Sequence, residues 1–307
     1  MAKPVPAGRG SRVKVTVTAV KERGETLLRR ARARSQPLDH LVRAYVRYDE
    51  RRGDRLAAAV TFFGFLSFFP LLALGFAVAG YAVVVYPEAR TQLLDAVRGL
   101  LPGITEQLDV GALASARAGA GLFALVGLLI AGIGWIDALR ESLHEIWLKD
   151  PKADGNFVTK KLMAVAVLIV LGLCLIASVA VSSLATSATA LALRLAGLAG
   201  SVAAAWVLKI FAVAVVLLFD VLIFLMLFCR LSGSRAPWRQ VYRGAVLGAV
   251  GFEVLKLVGT YYVPLVAANP VYGAFGLTIG LLVWINLVTR FTVFAAAWTA
   301  TAAATRR

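Results

Sequence analysis

Cysteine and histidine are scarce, with two of each in 307 residues. Cys174 and Cys229 fall inside or at the end of apolar runs. A lone thiol there serves as a small apolar filler, not as half of a disulfide or a metal pair. His40 stands in a basic arm far along the chain from His144, so no histidine metal site is expected. Acidic side chains are few as well, 17 against 33 Lys and Arg. The chain has no P-loop, no H-E-x-x-H, no G-x-S-x-G and no zinc spacing, which sets aside an ATP-driven pump within it. The expectation is a non-enzymatic protein with no cofactor and no metal. Long alternating apolar and polar stretches are missing too, which excludes a membrane barrel. No cleavable signal peptide is expected, because the first apolar run follows more than 50 polar, basic residues.

Apolar residues are what the chain does have. They make up 60% of it against 16% charged, and the mean hydropathy is +0.78. Soluble domains run near 45–50% apolar and 25% charged. Six apolar runs, 57–85, 119–136, 161–185, 203–228, 242–267 and 275–303, are close to the roughly 20 residues a membrane-crossing helix requires. Helices are the remaining way to satisfy backbone polar groups in lipid. The expected fold is therefore all-α, a polytopic integral membrane bundle of six transmembrane helices.

Charge sets the orientation. Of the Lys and Arg residues, 26 lie in residues 1–56, the 137–161 and 229–243 loops and the C-terminus, against four in the 86–118 loop and the next loop on that side. By the positive-inside tendency both termini are cytoplasmic. Topology thus absorbs the basic excess, and a specific nucleic-acid partner loses its main support. Residues 1–37 read as a basic, disordered cytoplasmic tail that attracts anionic lipid headgroups, RNA binding being the lesser reading. Residues 38–55, with Leu38, Leu41, Val42, Tyr45 and Val46 at helical spacing among arginines, read as an amphipathic inner-leaflet helix anchoring the first span. Residues 56–304 form the membrane domain, with an extracytoplasmic helical loop at 86–118. Pro70 is expected to kink the first span, with Thr61 and Ser67 close enough to help satisfy the freed carbonyl.

The stretch GAVLGAVGFEVLKLVGTYYVPLVA carries Glu253 and Lys256 in its middle. At about 100° per residue its glycines gather on one side, and Glu253, Lys256 and Thr260 on the other. Each such charge costs about 2.5–3.5 kcal/mol at a bilayer centre, so that side must meet another helix or a wet cavity. Lys209 and Asp220 share a face of the fourth span, and Asn286 and Arg290 stand one turn apart in the sixth. The set Asp220, Glu253, Lys256, Arg290, Asn286, Thr260 and Lys209 is either a structural ion-pair group or the lining of a substrate path. Three cations against two anions leave a positive charge over, which favours an anionic headgroup. A second group, Asp137, Arg140, Glu141, His144 and Glu145, shares one helical face. It reads as a solvated salt-bridge face, with a metal site as the weaker alternative.

Three segments carry a resemblance. DRLAAAVTFFGFLSFFPLLALG is similar to the Ala-rich, Ser-x-x-Pro first span of the YihY/BrkB family of bacterial inner-membrane proteins, which includes a YhjD-like branch. DALRESLHEIW resembles that family's segment ending in Ile-Trp, and YGAFGLTIGLLVWINLVTRFTVFAAAWTA its last span. The resemblance covers residues 40–303 and implies a plasma-membrane protein linked to envelope integrity, one branch of which moves lipid-linked envelope precursors. Ala295, Ala296 and Ala297 stand where the family is expected to show Gly-Ala-Glu, and Arg290 where an apolar residue is usual. A site built on that acid does not carry over. An old ribonuclease label travels with the family, and no residue here supports it. The expected function is a transporter or flippase-like protein for an amphipathic, anionic envelope molecule, with membrane lipids as its surroundings. The alternative is a structural envelope protein that moves nothing.

Overall fold

The computed structural model describes residues 35–85, 110–148, 158–159, 161–174, 202–233, 236–267 and 273–304. Among these residues there are seven helices and no strand: α1 (Gln36–Glu50), α2 (Gly53–Val85), α3 (Val110–Trp147), α4 (Lys161–Cys174), α5 (Val202–Met226, continued by a π-helical turn Leu227–Leu231), α6 (Trp238–Ala267) and α7 (Gly273–Ala304). The all-α expectation holds. Four helical segments are long and apolar enough to cross a membrane: Gly53–Leu74, Gly121–Trp147, Val213–Leu231 and Thr278–Ala302. The tail at 1–34 and most of the 86–118 loop lie outside the described residues. The last part of that loop belongs to α3, which starts at Val110 and runs on through the charged DALRESLHEIW segment.

The expected 38–55 helix is interrupted. It ends where Arg51 and Arg52 donate their amides to the carbonyls of Arg47 and Asp49. Arg52 takes a left-handed conformation (φ 52°), and its own carbonyl accepts the first amides of α2. The turn is tight because Gly53 lies under the ring of Tyr48, where a Cβ would strike the ring carbons. Side chains other than glycine have no room there.

α6 lies between α5 and α7, α7 also packs on α2, and α2 pairs most extensively with α3. The π turn that closes α5 reaches α3, and α1 lies along the C-terminal half of α7. The tightest packing is at the α1 end of the bundle. Ile136, Leu143, Ile146, Phe228, Leu231 and Val293 are all essentially inaccessible there. The π turn has a packing consequence. Its wide turn, with the Ser232 amide on the Leu227 carbonyl at 3.1 Å, accompanies the burial of Leu227, Phe228 and Leu231 together. Farther from α1, large apolar side chains such as Phe62, Phe69, Phe123 and Ile130 are exposed, as lipid-facing helix surfaces require.

Pro70 lies inside α2, which continues through it as helix, and its ring packs close to Gly127 of α3. The Thr61 and Ser67 hydroxyls donate to the Ala57 and Phe63 carbonyls, one turn back from each, at 2.7 and 2.8 Å. Neither therefore serves the carbonyl of Leu66, the one a proline at position 70 leaves without its usual donor.

Candidate functional site: a charged triad on the α5–α6 seam

The seam is built by small residues meeting aromatic ones. Gly248 of α6 receives the ring of Phe224 from α5, where an added Cβ would come within 2.6 Å of it. Phe224 contacts Phe228 (centroids 5.7 Å apart) and Phe252 (6.4 Å), forming an aromatic layer across the seam. One helical turn beyond that layer on each helix stand Asp220 and Lys256. Lys256 Nζ donates to Asp220 Oδ2 at 2.9 Å and to Glu253 Oε1 at 2.8 Å, and lies 5.0 Å from the centre of the Phe252 ring. The Asp220 side chain is 9% exposed, Glu253 29% and Lys256 34%, so the aspartate is the deep member and the other two lie nearer an opening.

The charge set named from sequence divides into two groups. Asp220, Glu253 and Lys256 come together. Arg290 instead pairs with Asp54 at the start of α2, Nε to Oδ1 3.4 Å, and both side chains are more than half exposed. Asn286 donates to Thr61 Oγ1 at 3.2 Å, again on the α2–α7 seam. The Thr260 hydroxyl turns back to the Lys256 carbonyl at 2.9 Å, and Thr260 is exposed. The side chain of Lys209 lies outside the described residues. Both carboxylates thus share Lys256, and these three described side chains together carry one surplus negative charge. The sequence count leaves a positive one because Asp54, within the 38–55 segment, is not counted with the span charges as a partner of Arg290.

Around α1 the structure gathers residues that sequence reasoning treated as surface. His40 Nε2 donates to the Trp298 carbonyl at 2.9 Å, with the two rings 4.4 Å apart. Burial lowers the His40 pKa below the ordinary histidine value, partly opposed by that carbonyl. Tyr48 donates to Asp54 Oδ1 at 2.8 Å; burial first, then this hydrogen bond, push its phenol well above the ordinary value. Arg47 Nε donates to the Ile146 carbonyl at 2.8 Å, at the C-terminus of α3 where a cation complements the helix dipole. Its pKa is lowered, first by burial and then by Arg51. A tyrosine at helical spacing from a histidine in a basic segment was the available signal, and an amphipathic membrane helix explains it equally well.

The group at 137–145 carries the salt bridges expected of it: Asp137 pairs with Lys161 of α4, Glu145 pairs with Arg51 at 3.1 Å, and Glu141 and Glu145 are exposed. His144 departs from a solvated face, being 2% exposed. Among the described residues no three His, Cys, Asp or Glu side chains are grouped so as to hold a metal ion. Cys174 and Cys229 are both free thiols. Ala295, Ala296 and Ala297 are fully buried. Methyl groups fill that place, beside the α1 contact.

The chain matches the family model described as virulence factor BrkB over residues 44–307. It is 30% identical over 303 residues to "Inner membrane protein YhjD" of Escherichia coli (strain K12), covering 96% of this chain and 88% of that protein. It is 32% identical over 280 residues to "Uncharacterized protein Dda3937_02003" of Dickeya dadantii (strain 3937), covering 88% of this chain and 85% of that protein. No solved structure matches it. With its apolar helices and a family match spanning most of its length, the chain is a membrane protein of the virulence factor BrkB family.

Proposed function

We propose that the chain is a multi-pass inner-membrane transporter of the flippase type, acting on an amphipathic envelope component. In this reading it has six spans and both termini in the cytoplasm. α4 and α6 join the four strongly apolar segments, and α1 lies against the inner leaflet through Leu41, Tyr45 and Val46, which are exposed beside its arginines. One observation carries the functional reading. Two carboxylates and a lysine are kept between α5 and α6 in otherwise apolar surroundings, where apolar residues of similar size would pack without a desolvation penalty. Ionisable groups at such depth mark substrate and ion pathways, and two of the three are partly open. The acyl part of the substrate would meet the apolar faces of α5 and α6, and its polar head would reach Lys256, the triad's sole donor of charge-assisted hydrogen bonds. No chemistry on the substrate is part of the proposal, and neither is ribonuclease activity.

The alternative is a structural envelope protein, and the mutual hydrogen bonding of the triad favours it. The two readings separate in a strain whose envelope defect the wild-type protein corrects. The triple variant Asp220→Asn, Glu253→Gln, Lys256→Met keeps side-chain volumes and removes every charge of the triad. Transport predicts that it inserts and folds yet leaves the defect uncorrected. Full correction by a well-folded triple variant would refute the transport reading.

A further inference from the structure

We propose that the outer face of α6 holds an anionic phospholipid, its phosphate between Arg239 and Arg243 and its acyl chains along the helix beyond them. The site goes beyond the transport reading and does not depend on it. From Val221 to Phe252 the chain carries four arginines and no acid, and Arg239 and Arg243 are the two on α6. Both are exposed, and Trp238 and Tyr242 stand beside them, 64% and 49% exposed. The segments outside the described residues do not cancel this patch. Residues 1–34 carry ten Lys and Arg against two Glu, and residues 149–157 carry two lysines and two aspartates.

The face points away from the bundle. Gly244, Gly248 and Gly251 lie on the other side of α6, against Thr299, Phe224 and Phe291. At 100° per residue, Val250, Val254, Leu257 and Tyr261 continue the sector of Arg239 and Tyr242, and all four are exposed. Glu253 borders that sector about 15 Å beyond Arg243, and Lys256 donates to it at 2.8 Å. From Tyr242 to Tyr261 the stripe runs about 28 Å, close to the roughly 30 Å of hydrocarbon in a bilayer. Exposed valine and leucine between two tyrosines mark a surface that crosses lipid with a ring at each interface. The stripe decides the occupant. A soluble acidic polymer would meet the arginines and leave the stripe uncovered, whereas a phospholipid meets both. Guanidinium groups one turn apart can each give paired N–H bonds to phosphate oxygens, and the Trp238 and Tyr242 rings suit the headgroup level.

Native mass spectrometry of the purified full chain, titrated with phosphatidylglycerol and separately with phosphatidylcholine, tests the site. The double variant Arg239→Gln, Arg243→Gln is compared with Arg29→Gln, Arg30→Gln, which removes the same charge from the tail. The first phosphatidylglycerol is expected to bind roughly tenfold to thirtyfold more weakly to the 239/243 variant, and within about twofold of wild type to the tail variant. Phosphatidylcholine should bind all three alike, which also shows the variants intact. Equal weakening in both variants would reduce the effect to bulk charge and overturn the site. So would unchanged phosphatidylglycerol binding in the 239/243 variant, or a matching loss of phosphatidylcholine binding. Excess glycerol 3-phosphate, which has the headgroup chemistry without acyl chains, should leave the bound lipid in place. Complete displacement by it, or by a short RNA, would overturn the lipid assignment.

Discussion

Removing Lys256 should harm folding more than removing either acid. In Lys256→Met the ammonium that bridges Asp220 and Glu253 is gone, and two carboxylates that each lay within 2.9 Å of it face each other across the seam. Leaving a buried charge uncompensated costs about 3–5 kcal/mol in soluble proteins. Asp220, 9% exposed, bears most of that cost, because Glu253 is open enough to recover some hydration. Glu253→Gln is different in kind. The Asp220–Lys256 pair survives, and the glutamine oxygen still accepts a hydrogen bond, so the loss should stay within about 1 kcal/mol. Asp220→Asn falls between the two. The pairwise variant Glu253→Gln with Lys256→Met, the natural choice from sequence spacing alone, leaves Asp220 stranded and should remain strongly destabilised. Only the triple variant with Asp220→Asn removes every charge, and it should melt near wild type. In a chain of this size each kcal/mol moves a thermal midpoint by about 2 °C. Tryptophan-monitored melting in detergent should therefore place Lys256→Met roughly 6–10 °C below wild type. A Lys256→Met variant melting level with Glu253→Gln, or a triple variant melting below Lys256→Met, would refute the shared-lysine account.

Three further outcomes follow from the packing. Gly248→Ala puts a methyl group against the buried Phe224 ring and should cost about 1–3 kcal/mol by the same melting assay. Gly172→Ala, with nothing within 4 Å of the new Cβ, should be neutral or slightly stabilising. Arg47→Met deletes the N–H bond to the Ile146 carbonyl and should lower stability by about 1.5–3 kcal/mol, with Arg51→Met, at an exposed pair, well below that. For His40 the folded pKa lies below the unfolded value of 6.5, so the folded state binds fewer protons. Its stabilisation is present above pH 6.5 and is lost as pH falls through the folded value. Limited proteolysis should accordingly cut α1 faster at pH 5 than at pH 7.5 in wild type, and His40→Gln should flatten that difference.

Much of the fold was legible because apolar runs are long and lipid demands helices. The helices at 53–85, 202–226, 238–267 and 273–304 lie within a few residues of the runs read from composition. Boundaries failed where tertiary contacts decide them. α3 extends well beyond its apolar core because its charged end packs against α1, where Arg47 and Arg51 hold Ile146 and Glu145. α1 breaks at Arg52 because Gly53 admits the Tyr48 ring, a contact that periodicity does not encode. At the site, helical spacing identified the Glu253–Lys256 pair, since i and i+3 share a face. Which partners came from other helices was not legible, because depth along a helix says little about lateral neighbours. Asp220 joined Lys256 while Arg290 joined Asp54, so that the three described charges on the α5–α6 seam are two acids and one lysine.

The central claim is that the triad lines a path for an amphipathic lipid, and lipid translocation in proteoliposomes tests it most directly. Liposomes carrying a fluorescent anionic lipid in both leaflets are treated with a membrane-impermeant quencher, once with wild-type protein and once with the Asp220→Asn, Glu253→Gln, Lys256→Met variant at equal, verified incorporation. Wild type should allow quenching to proceed past the outer-leaflet half toward completion, while the triple variant stops at the half as protein-free liposomes do. Equal quenching by wild type and the triple variant, whether both complete or both halted at the half, would contradict the account.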